Sequence, residues 1–227
     1  MCGRYSLTTP VEGLRHLFEF PERPNLEPRY NIAPTQTAPV FRFDESGTGH
    51  LLQLRWGLIP FWAKDKSIGA KLINARAETV ATQPAFRTAF RERRCLVPAD
   101  GFYEWRKEGK QKQPWRFHLA DNQPFCFAGL WESWRDPETK TALESFTIIT
   151  TEANEVMAAI HNRMPVMLAK HDMAAWLEGK EAAKLLRPYP AEEMRAYPVS
   201  TVVNSWRNET PDCFAPAGEE KAAATPR

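Results

Sequence analysis

Apolar and polar positions alternate most cleanly over residues 50–57 (HLLQLRWG) and 114–119 (PWRFHL), the period-two pattern of antiparallel strands with one wet face. Further strands are predicted where short apolar runs stand between turn residues, at 38–43, 125–132, 146–150 and 165–168. Helical spacing is confined to short stretches. It predicts helices over 11–19, with Thr9 as cap and Pro10 in the first turn, over 84–94 and 153–160, and over 171–186 with an interruption near Gly179. Prolines, 19 of them spread from Pro10 to Pro226, keep every element short. The expected fold is a single α+β domain over residues 1–213, with mostly antiparallel sheets forming a barrel-like core and a few short helices packed around it. Residues 214–227 are expected to fray, since no large apolar side chain occurs from 215 onward (APAGEEKAAATPR).

The 227 residues, 43% apolar and 26% charged, suffice for one domain with a real core and exclude collagen-like, coiled-coil and disordered classes. No apolar run nears the ~18 residues of a membrane helix. The start, MCGRYSLTTP, lacks the charged-then-apolar preamble of a secretory signal, so no membrane partner and a cytoplasmic location are expected. Cys2, Cys95, Cys126 and Cys213 lie far apart without a C-x-x-C pair, which indicates neither a disulfide framework nor a zinc site; no metal or other cofactor is expected. Charge is divided unevenly. Residues 1–120 hold 19 Lys+Arg against 12 Asp+Glu, a balance of +7, and residues 121–227 hold 11 against 16, a balance of −5. The basic half is the place to seek a polyanion-binding face, although such asymmetry is often plain solvated surface.

The second residue carries the most chemistry. An initiator Met is removed when a small residue follows it, so the mature chain is expected to begin at Cys2. An α-amine (pKa about 8) and a thiol (about 8.5) then stand on adjacent carbons. This 1,2-aminothiol attacks an aldehyde first through nitrogen, giving an imine, and then through sulfur, closing a five-membered thiazolidine. A Met-Cys start taken alone is more often an incidental small residue.

Read with MCGRY (1–5), the segments RYNIAPTQ (29–36), RWGLIPFW (55–62), INARAET (73–79), CLVPADGFYEW (95–105) and IHNRMPV (160–166) resemble the SRAP family of abasic-site processing proteins. The resemblance runs from Met1 to about Asn204; the lysine-bearing stretch AKDKSIGAK (63–71) departs from it. It implies a DNA-damage and SOS-response role in which Cys2 captures the ring-opened aldehyde of an abasic site as a thiazolidine DNA–protein crosslink. The implied partner is single-stranded DNA containing abasic sites, including ssDNA–dsDNA junctions, with nucleoid association when bound. Lyase-type crosslinking and a thiol autopeptidase (hydrolase) activity are implied too. Nothing demands more than a monomer.

By position, Cys2, Asn74, Glu104 and His161 match the family's active-site residues. The Asn74 amide donates and accepts at once, which suits holding the Cys2 backbone or a sugar hydroxyl; a bare Asn is more often a turn or strand-end satisfier. Glu104, among Phe102, Tyr103 and Trp105, is expected to be partly buried with a raised pKa, able to exchange protons with the amine and the departing hydroxyl. His161 can protonate the sugar ring oxygen, or simply settle a helix end. Arg4, Arg76 and Arg163 are expected on phosphates, with Thr150 adding a hydroxyl contact. Pro34, Trp56, Phe61 and Trp62 are candidates to stack on bases or wedge a duplex; Trp62 is the ring best placed for exposure, and Trp56 is balanced against the core.

Three other readings stay open. An N-terminal-nucleophile glutamine amidotransferase also opens Met-Cys-Gly, but its oxyanion-hole Asn-Gly occurs nowhere in this chain. A non-covalent single-stranded DNA-binding module would explain the charge and the rings yet leave Cys2 idle. A thiol peptidase would use Cys2 with His161 and Asn74, although removing one methionine needs only a separate aminopeptidase.

Overall fold

A computed structural model describes residues 2–218 and 221–222. In chain order the elements are β1 (Arg4–Leu7), α1 (Val11–Leu14), β2 (Arg29–Ile32), β3 (Thr37–Phe43), β4 (Gly49–Trp56), β5 (Asn74–Arg76), α2 (Arg87–Glu92), β6 (Arg94–Ala99), β7 (Gly101–Glu108), β8 (Gln111–Leu119), β9 (Phe125–Arg135), β10 (Ala142–Glu152), α3 (Glu155–Ala158), β11 (Arg163–Pro165), β12 (Met167–Leu168), α4 (Met173–Glu178), β13 (Met194–Pro198) and β14 (Lys221–Ala222). The strands make two sheets. One closes on itself: β10, β4, β3, β6 and β9 follow in order and β9 pairs back onto β10, a five-strand barrel. The other is a six-stranded antiparallel sheet in the order β14, β13, β8, β7, β1, β2. The expected α+β domain with a barrel core and a few short helices is therefore the fold observed.

Alternation decides what the barrel buries. Along the second half of β4, Leu54 and Trp56 share one face and are buried, while Gln53 on the other is exposed. Three strands meet at Gly129, paired with Cys95 on one side and Ile148 on the other. A Cβ there would lie 2.8 Å from Val97 Cγ2 and 2.9 Å from Cys95 Sγ, so only glycine lets the strands close. The second sheet packs onto the barrel through Tyr5, whose ring lies 5.2 Å from that of Trp56 and 5.8 Å from that of Phe127.

Helices are shorter than their apolar spacing predicts, and at α2 the cause is a flanking strand. The stretch 84–94 stops being helical at Glu92, since Arg94 opens β6 and Cys95, Leu96 and Val97 are buried in the barrel. The predicted strand over 165–168 divides at Val166: β11 pairs with β10 and β12 with β9. Gly179 does interrupt the fourth helix, in the left-handed region at φ 79°. Thr9 does not cap α1. Its backbone N–H instead donates to Asp100 Oδ2 at 3.1 Å, and Asp100 also accepts from the hydroxyls of Ser6 (2.6 Å) and Thr8 (2.7 Å). Part of the expected loose end is held: Ala217 N–H donates to Pro198 O at 2.7 Å and β14 pairs with β13, while 219–220 and 223–227 lie outside the described residues. Among the described residues no helix is long and apolar enough to cross a membrane.

Candidate active site

The chain start is fixed by strand pairing. β1 lies between β2 and β7, with Arg4 opposite Tyr103 and Tyr5 opposite Phe102; continued two steps before the ladder, that register carries Cys2 past Glu104, whose carboxylate is its electrostatic neighbour. Cys2 is fully buried, and its Sγ–H donates to Arg4 O at 3.8 Å. Burial pushes the thiol pKa far up, and the nearby Glu104 carboxylate adds to the rise. A thiol so placed keeps its proton until a base takes it.

Beside it opens a cleft of about 430 Å³ lined by Arg4, Glu104, Trp105, Lys112, His161 and Asn204. Glu104, opposite Trp115 on β8, is 5% exposed. Burial raises its pKa, and His161 nearby acts in the opposite sense. His161 closes the single turn of α3, its N–H donating to Met157 O at 2.9 Å. That turn is started by Asn154, whose Oδ1 accepts from Met157 N–H at 3.0 Å. Arg163 N–H donates to His161 Nδ1 at 3.0 Å, and the same nitrogen lies 3.2 Å from Arg163 O, so the backbone of residue 163 holds the ring in place.

Arg4 forms the floor. Its Nη1 donates to Asn31 Oδ1 at 2.7 Å and Val203 O at 2.8 Å, and its Nη2 to Asn204 O at 3.3 Å. Asn31 in turn donates to the carbonyls of Val203, Ser205 and Asn208, and Trp105 Nε1 donates to Asn204 Oδ1 at 2.7 Å. Trp105, Lys112 and Asn204 were not expected at the site. Trp105 directly follows Glu104 in the word that singled Glu104 out, whereas Lys112 and Asn204 are brought in by the β7–β8 hairpin and by the segment after β13, which local pattern does not reveal.

The other expected site residues are distributed differently. Asn74 opens β5 beside Ile148; its Nδ2 donates to Ile148 O at 3.4 Å, and its buried Oδ1 has no hydrogen-bond partner among the described residues. Arg76 is exposed one strand away from Thr150. Arg163 is already engaged, with Nη1 and Nη2 on the two Glu78 carboxylate oxygens at 2.9 and 3.0 Å and Nη2 on Thr150 O at 2.6 Å. Two expectations are corrected. Thr150 offers no surface hydroxyl, being buried with Oγ1 donating to Ala75 O at 3.4 Å. Trp56 offers no ring face, because β4 alternation turns it inward, where it donates to Ile73 O at 2.9 Å and stacks on Phe146. Phe61 and Trp62, 56% and 50% exposed, are the rings left at the surface of that segment, and Pro34 is half-buried in the turn after β2. All four cysteines are free thiols, and among the described residues no group of three or more His, Cys, Asp or Glu side chains could hold a metal ion.

A buried cysteine at the second position thus lies beside a buried carboxyl, Glu104, which lines one cleft with the His161 imidazole and the Arg4 guanidinium. The model of the family described as SOS response associated peptidase (SRAP) matches residues 1–206, and the chain belongs to that family. Abasic site processing protein YoqW of Bacillus subtilis (strain 168) is 43% identical over 221 residues, covering 93% of this chain and 98% of the relative. Abasic site processing protein HMCES of Gallus gallus is 31% identical over 263 residues, covering 95% and 78%. A crystal structure of a protein from Bacteroides thetaiotaomicron superposes with a TM-score of 0.85 at 28% identity, covering 95% of this chain and 100% of that one.

Proposed function

We propose that this chain processes abasic sites in single-stranded DNA by forming a covalent crosslink through Cys2 once Met1 has been removed. While Met1 is attached, the Cys2 nitrogen is an amide and the nucleophile is latent. Removal frees an α-amine beside the thiol. The amine adds to the C1′ aldehyde of the opened sugar, water leaves to give an imine, and sulfur then adds across the C=N bond as the thiol proton passes to nitrogen. One C–N and one C–S bond form, and one water departs. Glu104, kept protonated more readily than a surface carboxyl, delivers the proton that expels the hydroxyl and then accepts the thiol proton. His161, lining the same cleft, protonates the sugar ring oxygen as the ring opens.

The observation that carries this reading is that Glu104 and His161 line one cleft with the Arg4 guanidinium while the buried Cys2 lies beside Glu104. The test is intact-mass measurement after incubation with an abasic oligonucleotide. The expected product has the mass of the chain without Met1 plus the oligonucleotide less one water, and Cys2→Ser gives no heat-stable product, since oxygen closes a less stable ring. A stable adduct on the serine variant, or none on the native protein, overturns the reading.

A further inference from the structure

The hairpin joining β7 to β8 carries Arg106, Lys107, Lys110 and Lys112 against one carboxylate, Glu108. Arg106 is already answered: it pairs with Glu108 and lies 4.9 Å over the Trp115 ring. Lys107 and Lys112 are not. They are direct cross-strand partners, both exposed, and neither is ion-paired among the described residues. Side chains of such a pair share one face with Cβ atoms about 5 Å apart, and like charges so placed destabilise a sheet. An anion lying between them removes that penalty.

The same face leads to the reactive centre. Residues two apart on a strand point the same way, so Lys107 shares the face of Trp105 and lies about 7 Å beyond it at the rise of an antiparallel strand. Trp105 and Lys112 both line the cleft with Arg4. Cation, ring and paired cations thus run in sequence from the cleft to the hairpin tip.

We propose that Lys107 and Lys112 form a phosphate-binding pair that grips the DNA backbone on one side of the abasic sugar as the strand leaves the cleft along the β7–β8 hairpin. This rests on the abasic-site reading and adds to it the path of one flanking strand. The ligand is a run of phosphodiesters, recognised by charge and spacing, so base sequence does not matter.

The test uses the full chain and single strands bearing a ring-closed, non-reactive abasic analogue, with nucleotides extending either only 5′ or only 3′ of it. Binding is read across a salt series for native protein, K107Q/K112Q, and the charge-matched control K140Q/K170Q, whose lysines lie outside the cleft. For the hairpin variant the slope of log affinity against log salt becomes shallower by about 1.4, the value for two phosphate contacts on a single strand. The loss is several-fold in affinity and confined to one of the two arms. With aldehyde-bearing DNA, the half-saturating concentration rises more than the maximal rate falls. A native slope in the hairpin variant, an equal loss on both arms, or the same loss in the control overturns the proposal. Because the analogue cannot crosslink, a native protein that forms no adduct refutes the abasic-site chemistry while this binding result still decides the hairpin's role.

Discussion

In and around the barrel, several buried polar groups hold backbone. Ser145 Oγ accepts from Ile59 N–H at 2.8 Å, Trp134 Nε1 donates to Ala63 O at 2.7 Å, and Trp176 Nε1 donates to Cys95 O at 2.9 Å. On the six-stranded sheet the buried groups nearest the chain start are instead ionisable ones, Cys2 and Glu104, whose pKa values burial moves against their charged forms. A satisfied dipole costs little to bury, whereas a group poised to exchange a proton costs stability and is kept where that exchange has a use. The barrel also buries Glu132, Cys95 and Cys126, but of the buried ionisable groups only Glu104 lines the cleft, so the proposed reactivity lies with the neighbouring sheet.

The sharpest way to break that division is to truncate one residue on each side of it. Trp56→Ala removes a fully buried ring packed on Tyr5 and Phe146, together with the bond to Ile73 O, and is expected to cost about 3–5 kcal/mol in urea denaturation. Cys2→Ala is expected to cost far less and to abolish DNA capture. If the tryptophan variant unfolds at the native urea midpoint, or the alanine variant at position 2 is the less stable of the two, the division fails.

Asp100 tests the seam between the two regions. It gathers Ser6, Thr8 and Thr9 onto β7 as β1 leaves the sheet, with Arg116 at 3.6 Å. Asp100→Ala leaves those donors unpaired and is expected to cost about 1–3 kcal/mol. Crosslinking should persist in whatever fraction remains folded, as measured by active-site titration against abasic DNA. Loss of crosslinking in fully folded protein would move Asp100 from anchoring the strand into the chemistry.

Sequence pattern carried the barrel further than it carried the site. β3, β4, β9 and β10 are long enough, and alternating or apolar enough, to be read directly. β6 and β7 are not, since RCLVPA contains Pro98 and GFYEWRKE ends in charges, and both gain their stability from partners distant in the chain. The meeting of Cys2, Glu104 and His161 depends on those same non-local pairings, so it was accessible through resemblance to known segments and not through periodicity. Trp56 shows the converse. A Pro- and Gly-bearing segment suggests exposure, yet counting by twos from Leu54 along β4 turns Trp56 inward with it.

A smaller effect distinguishes Glu104 as a poised acid from Glu104 as packing. Burial raises its pKa, so the folded chain binds this proton more tightly than the unfolded chain does. Its contribution is therefore most favourable below the ordinary glutamate value of about 4.3 and declines as pH rises from there through the folded value. Glu104→Gln removes that decline. Its stability relative to the native protein should increase as pH rises across this window, while adduct formation slows and DNA affinity changes little. A collapse of affinity, or a relative stability falling with pH, would make Glu104 a structural residue.

The least effect is expected at the barrel rim, where the sign reverses. The His50 ring touches Glu22 Oε1 at 2.5 Å through Nδ1 and Asp44 Oδ2 at 3.1 Å through Nε2, and these contacts raise its pKa, that with Glu22 most. Here the favoured form is the charged one. The gain is complete below the unfolded histidine value of about 6.5 and is lost as pH climbs through the folded value. His50→Gln should therefore lower Tm more at about pH 5 than at about pH 9, and added salt should shrink the difference because the ring is solvent-facing. A larger penalty at the higher pH would mean that the pair works as a neutral hydrogen bond.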